Sequence, residues 1–396
     1  MRLPTILLVG LLGVRGATAA DPVAAIASAN VHPRGTLDNS RIQFESGKGH
    51  VAFLGGSITE MEGYRPLVCD ILRKRFPKCA FTFTNAGIAS TCSTTGAFRL
   101  ADDVLAKGPV DLLFVEFAVN DDQDAGHARR ECIRGLEGIL RHVRAHNPAA
   151  DIVVTHFVNE GMLKDFAAGR TPLAVAAHEA VAEYYRVSSV DLAKEVGERI
   201  AASKLTWKEY GGVHPAKPGN ALCAGLIAGL LDGAWKDPAP KAKVDHPRPK
   251  KPLDEGNYES GRFLGIETAK VSKGWTAEVP DWKKIPGECR NRFATATLFC
   301  ATAAGAELTL GFEGRTVGAY LLAGPDAGIV EASVDGGAFA TIDLYHRFSG
   351  GLHYPRTVVF ATDLAAGKHT LTLRMAAGKN PKSTGTAARI LQFAAD

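Results

Sequence analysis

"VAFLGGSITEM", residues 51–61, runs four apolar residues into two glycines and a serine. The apolar run reads as a buried strand, and Gly55-Gly56 as the turn that ends it. Glycines at such a point let the backbone bend tightly or come close to another group. Ser57 follows at once, and two roles would explain it. It can cap a helix, with Glu60 at the matching capping-box position. It can also be a nucleophile held out at the end of a strand. What the rest of the chain supplies decides between them.

Around this stretch the chain alternates. Short apolar runs at 51–54, 81–84, 112–119, 152–158 and 187–190 are separated by helical patterns. In "RRECIRGLEGILRHVRAHN", Cys132, Ile133, Leu136, Ile139, Leu140 and Val143 recur at helical spacing, and Asn147-Pro148 stops the helix. "PLAVAAHEAVAEYY" and "GNALCAGLIAGLLDGAW" are also helical. Strand–helix alternation implies a parallel sheet covered on both faces, and "LLFVEFAV" suits one of its central strands. This α/β unit is expected over residues 21–236. Residues 237–256 are rich in Pro and Lys and read as a stiff, solvated linker. From 257 to 396 the period becomes two. "ELTLGFEG", "TVGAYLLAG", "IVEASVDGG", "FATIDLYHR", "RTVVFATDL", "HTLTLRMAA" and "ARILQFAA" are alternating runs, with "VDGG" a hairpin signal. They predict an all-β sandwich.

Composition is that of an ordinary globular protein. Of 396 residues, 46% are hydrophobic and 22% charged, enough apolar content to bury a full core. The net charge of +4 is spread with both signs interspersed, which gives no case for nucleic acid. Residues 1–20, "MRLPTILLVGLLGVRGATAA", have a short positive start, an apolar stretch too short to span a bilayer and a small-residue cleavage pattern. They read as a signal peptide, so a secreted or periplasmic protein is expected, with no membrane insertion once the signal is removed. Seven cysteines leave at least one thiol unpaired; Cys69 with Cys79 and Cys289 with Cys300 are the closest pairs. No CxxC spacing appears, which speaks against zinc, and "NDDQDAGH" lacks the EF-hand spacing. Nothing matches a P-loop or a dinucleotide fingerprint.

Ligands of doubly wound sheets bind beyond the carboxyl ends of the strands. Four clusters stand at such ends or in the last loop: Gly55-Gly56-Ser57, Asn85-Ala86-Gly87, Asn120-Asp121 and Gly211-Gly212-Val213-His214-Pro215. Acyl transfer by serine needs a nucleophile, a base within reach and donors aimed at the oxyanion. Ser57 is the candidate nucleophile and His214 the base, since neutral imidazole takes a proton near pH 7. The Ser57 N–H, the Gly87 N–H and the Asn120 amide are the candidate donors. Taken singly, Ser57 would more often be a helix cap, and Asn120 and Asp121 turn formers.

"GGSIT", "NAGIAS", "FAVND" and "GGVHP" resemble the four blocks of the SGNH, or GDSL-type, hydrolases. The resemblance covers about 190 residues, from near Arg41 to Trp235. It implies a flavodoxin-like three-layer fold, an esterase or deacylase activity, and Ser57, Gly87, Asn120 and His214 as nucleophile, two oxyanion donors and base. The turn is not a GxSxG elbow, because no glycine sits two after Ser57. One departure stands out. The family usually places an aspartate three residues before the histidine, and here that residue is Gly211. A Ser–His dyad is therefore expected, with the imidazole held by a backbone carbonyl or a carboxylate from elsewhere. Glu209 is the first candidate acid; Asp191, Glu116 and Asp121 follow. "LYHRFSGGLHYPR", residues 344–356, gathers aromatic and polar groups suited to sugar as well as to a sandwich core. The combined reading is a secreted serine esterase that cleaves an ester, best an O-acetyl group on a saccharide, through an acyl-enzyme and without metal or organic cofactor. The alternatives are a lipase- or thioesterase-like acyl hydrolase and a catalytically impaired glycan-binding protein.

Overall fold

The computed structural model describes residues 23–396. The expected signal peptide lies outside them. Six strands form the first sheet: β1 (Val31–His32), β2 (Lys48–Gly55), β3 (Ala80–Gly87), β4 (Leu112–Glu116), β5 (Asp151–Thr155) and β6 (Ser188–Val190). Their order is β1-β6-β5-β4-β2-β3. β2 to β6 run parallel, and only the two-residue β1 is antiparallel, on the edge beside β6. Counting the parallel strands alone, the order is 2-1-3-4-5, the flavodoxin-like arrangement, whose switch point falls between β2 and β4.

The residues explain these positions. "LLFVE" of β4 is buried at every position, as a strand covered on both faces must be. Phe53 of β2 stacks on Phe114 of β4, with ring centroids 5.0 Å apart. Register matters more for function. Gly55 pairs with Gly87 on one side and with Glu116 on the other. Three strands thus end level, and the segments that follow them emerge side by side.

Those segments lead into helices α1 (Ser57–Glu60), α2 (Ser93–Asp103) and α3 (Arg129–His146). Later come α4 (Trp207–Tyr210) and α5 (Lys217–Ala234). No helix among the described residues is long and apolar enough to cross a membrane.

Residues 237–256 contain no helix or strand and are mostly exposed, but they are anchored rather than free. His246 is buried and bonds Asp151 at 2.7 Å. Arg141 and Arg144 of α3 donate to the carbonyls of Pro249 and Pro247, and the Glu137 carboxylate accepts from Leu253 N and Asp254 N. Proline leaves its carbonyl free to accept while stiffening the chain, and this segment uses both properties to strap itself along the α/β unit.

The remaining strands are β7 (Arg262–Leu264), β8 (Ala269–Lys273), β9 (Thr276–Glu278), β10 (Leu298–Ala301), β11 (Glu307–Gly314) and β12 (Val317–Ala323). After them come β13 (Ile329–Val334), β14 (Ala340–Asp343), β15 (Tyr354–Ala361), β16 (Gly367–Met375) and β17 (Ala388–Ala395). They make two antiparallel sheets, β15-β12-β17-β10-β9 with β7 on β17, and β14-β13-β16-β11-β8. Leu308, Leu310, Leu321, Leu371, Leu373 and Phe393 fill a common core. The β13–β14 hairpin turns through "VDGG", with Asp335 and Gly336 both at positive φ.

All seven cysteines are free thiols, so neither Cys69–Cys79 nor Cys289–Cys300 is joined.

Candidate active site

The turn after β2 is built around two side chains from β4 and its continuation. A Cβ at Gly55 would stand 2.1 Å from Glu116 Oε1, and one at Gly56 would stand 2.2 Å from Asn120 Oδ1. Only glycine leaves room for both. Glu116 Oε1 accepts from Gly56 N and from Thr59 Oγ1, each at 2.8 Å, and so ties the turn from beneath. Ser57 is the first helical residue, not the cap; Gly56 is the cap and supplies no side chain. The capping-box reading fails at its other end as well. Glu60 spends its carboxylate on Ala89 N and on Arg292, each at 2.9 Å. The Ser57 hydroxyl instead meets His214 Nε2 at 2.8 Å.

His214 lies in the loop between α4 and α5. Gly211 caps α4 at φ +107, and a Cβ there would stand 2.0 Å from Ala216 N. An aspartate at this position would be strained in backbone and would collide with backbone, which accounts for its absence. Glu209 does not replace it. Its carboxylate accepts from Thr206 N at 2.8 Å and Thr206 Oγ1 at 2.7 Å, closing a capping box on α4. The other acids are engaged too. Asp191 caps a helix through Lys194 N, Glu116 lies under the Ser57 turn, and Asp121 holds Ser93 and His178. His214 is exposed, and its Nδ1 makes no hydrogen bond to any described residue. The expected orienting acceptor is therefore not found.

Asn120 is buried and opens a one-turn π-helical segment, Asn120–Ala125. Its amide Nδ2 donates to Asp124 Oδ2 at 2.5 Å. One amide hydrogen is thus held and the second has no acceptor among the described residues, while the amide group lies against the Gly56 turn that carries Ser57. Asp124 faces the same cleft. Burial pushes its carboxyl above the ordinary aspartate range, while the amides of Asn120 and Gln123 and the charges of Arg347 and His214 pull it back.

Gly87 does not serve as expected. Its N–H donates to Asn85 Oδ1 at 3.0 Å, and a Cβ on it would strike Glu60 N at 2.2 Å. Its glycine is needed for packing under α1. Three residues on, Ser90 has φ +71, lines the cleft with Ser57 and His214, and has an N–H without an acceptor among the described residues. Ser90 is the better donor. The signal in the sequence was its place at the end of "NAGIAS", masked because a serine stands where left-handed backbone usually brings glycine.

The cleft holds about 470 Å³ and is walled by both halves of the chain. Ser57, Ser90, Asp124 and His214 face Arg290, Phe348, Leu352 and Tyr354. Arg290 donates to Ala89 O and Ser90 Oγ, each at 2.8 Å, and Tyr354 OH donates to Ser90 O at 3.1 Å. His346 stacks on Tyr354 at 4.2 Å. The segment 344–356 that looked suited to sugar therefore stands at the mouth of the serine site.

With this geometry in view, residues 53–222 match the model of the GDSL-like Lipase/Acylhydrolase family. The chain carries a GDSL-type domain. By that family it is a carboxylic ester hydrolase. None of the curated proteins matches the chain. Two solved structures are similar over almost all of it. One is a two-domain esterase active on acetylated mannans, 23% identical, with a TM-score of 0.72, covering 92% of this chain and 96% of that one. The other is such an esterase co-crystallised with mannopentaose, at 22% identity with the same TM-score and shares. At that identity the likeness shows the fold: a GDSL-type α/β domain joined to a C-terminal antiparallel β unit.

Proposed function

We propose that the protein is an exported serine esterase that removes O-acyl groups, acetyl foremost, from a saccharide. The observation that carries the reading is the 2.8 Å bond between Ser57 Oγ and His214 Nε2 on the floor of a cleft whose opposite wall is aromatic. His214 takes the Ser57 proton as the oxygen attacks the ester carbonyl. Charge developing on the carbonyl oxygen is met by the N–H groups of Ser57 and Ser90 and by the Asn120 amide. His214 then gives its proton to the leaving sugar oxygen, which departs as the alcohol and leaves an acyl-serine. Water, deprotonated by the same imidazole, attacks that acyl group; the bond to Ser57 Oγ breaks, the imidazolium returns its proton to that oxygen, and acetate leaves. Charged and polar groups, Arg290, Asp124 and His214, stand on the walls beside the aromatic faces of Phe348 and Tyr354, a mixture that suits a sugar alcohol. The names of the two similar esterases agree with this class.

The unpartnered Nδ1 of His214 favours a second reading, a glycan-binding protein with a weakened hydrolase site. A serine-directed fluorophosphonate and acetate release from acetylated manno- and xylo-oligosaccharides separate the two. The esterase should label at Ser57 and release acetate, and Ser57→Ala should lose both while staying folded. Binding to the oligosaccharides without label or acetate would establish the second reading instead. Export is tested by sequencing the N-terminus of the mature protein, expected to begin near residue 21.

A further inference from the structure

We propose that Cys92, Asp121 and His127 form a zinc-binding site beside the cleft. They come from three elements: the N-cap of α2, the π-helical segment after β4, and the loop before α3. One ligand atom from each lies within 4.8 Å of the others. Tetrahedral zinc, with bonds of about 2.0–2.3 Å, holds its ligand atoms roughly 3.5 Å apart. Closing on an ion would need movements of about 1 Å, within the reach of side-chain rotation.

The groups are prepared for that. Asp121 is fully buried. Its Oδ2 accepts from Ser93 Oγ at 2.7 Å and from His178 Nε2 at 3.0 Å, and its Oδ1 accepts from Ser93 N at 2.8 Å. Oδ1 retains a lone pair on the side of His127 Nδ1, 3.5 Å away. A ligating carboxylate is normally fixed by outer partners in this way. His127 Nδ1 is buried and makes no full hydrogen bond; its nearest polar partner is Asp121 Oδ1 at 3.5 Å, a contact that an ion held between the two groups would replace. Cys132, buried on α3, reaches the His127 carbonyl at 4.0 Å and its thiol lies against the same imidazole, so a second sulfur stands by. On the open side is a cavity of about 230 Å³, lined by Cys92, His127 and Glu131 with His346, Tyr354 and Arg356 of the β unit. It has room for a water as the fourth ligand.

The donor set of one thiolate, one imidazole and one carboxylate selects zinc over magnesium or calcium, which take oxygen alone. Bound zinc would join α2 to the segment that begins at Asn120, and so would stiffen the amide proposed for the oxyanion. CxxC spacing could not reveal such a site, because its ligands are gathered by the sheet edge and not by a local loop.

Cobalt tests the site in the full-length protein after treatment with a chelator. Cobalt(II) alone should bind at one equivalent and give a sulfur-to-cobalt charge-transfer band in the near ultraviolet, and zinc should displace it. Zinc at micromolar concentration should raise the melting temperature. Cys92→Ser should abolish the band, and His127→Ala should weaken zinc binding at least tenfold, on the order of a lost ligand or its support. Ser57→Ala should leave metal binding intact, which separates this site from the esterase reading. If Cys92→Ser fails to fold, the unmutated protein still decides. Less than one equivalent of zinc and no charge-transfer band overturns the proposal, as does a band unchanged in folded Cys92→Ser.

Discussion

Asn120 has two amide hydrogens, and their separate uses in the proposed mechanism fix what its loss should do. One hydrogen is held by Asp124, which orients the group before substrate arrives. The other is the hydrogen proposed to meet charge that exists only once the carbonyl has been attacked. Asn120→Ala should therefore lower kcat by roughly two to three orders of magnitude and change KM much less. A mutant with altered KM and unchanged kcat would make Asn120 a substrate-positioning group. Gly211 gives a sharper case. The family resemblance invites an attempt to restore the acid with Gly211→Asp. The backbone at φ +107 and the 2.0 Å approach to Ala216 N argue that this fails. Melting temperature should fall and kcat should not rise, because any strain falls on the loop that carries His214. A gain in kcat at unchanged melting temperature would show that the loop relaxes readily and that the site lacks only its acid.

The end of β4 carries a buried acid that can be read by pH. Burial lifts the Glu116 carboxyl from 4.5 to about 7, against the pull of Thr59 and Gly56. In the unfolded chain it ionises near its ordinary value. Between those two pH values the folded state holds a proton that the unfolded state has lost, so stability falls as pH rises through the window and is level above it. The loss is on the order of 3 kcal/mol. Glu116→Gln, uncharged throughout, should not show it. Urea denaturation of both proteins at pH 5 and pH 7.5 measures the difference, and parallel changes in the two would remove Glu116 from the account. The same strands show what can be read from sequence. β2 and β4 were legible because both faces are buried and the apolar runs are unbroken. β11 and β16 were legible because they alternate. β8 and β9 were not, since "AKVSK" and "TAE" are almost wholly exposed and carry no pattern. That Ser57, Asn120 and His214 come together was legible from motif order, because strand ends in a parallel sheet share an edge. Gly87 was misplaced for a physical reason: a glycine serves packing as readily as catalysis, and only the contact with Glu60 tells them apart.

The two halves of the chain make one cleft, and the division of labour between them can be measured. The α/β unit holds every group assigned to bond-making, while the β unit braces the loop that carries Ser90 and supplies the far wall. Arg134 reinforces the joint by reaching Asp254 in the strap and Asp363 in the β unit. Phe348 is the wall residue best placed to test whether the cleft reads a sugar. It is 43% exposed, unusual for a large aromatic, and its ring stands 5.6 Å from Tyr354. An aromatic face left open beside a serine nucleophile can stack on the apolar face of a pyranose, and taking the worth of an aromatic pair as the measure gives about 0.5–1.5 kcal/mol. Phe348→Ala should thus raise KM for an acetylated oligosaccharide by roughly two- to tenfold. It should leave turnover of 4-nitrophenyl acetate near wild type, because that ester is too small to span the cleft. Equal losses on both substrates would make Phe348 a structural residue of the wall. No loss on either would move the saccharide to another part of the surface and leave the β unit as a brace alone.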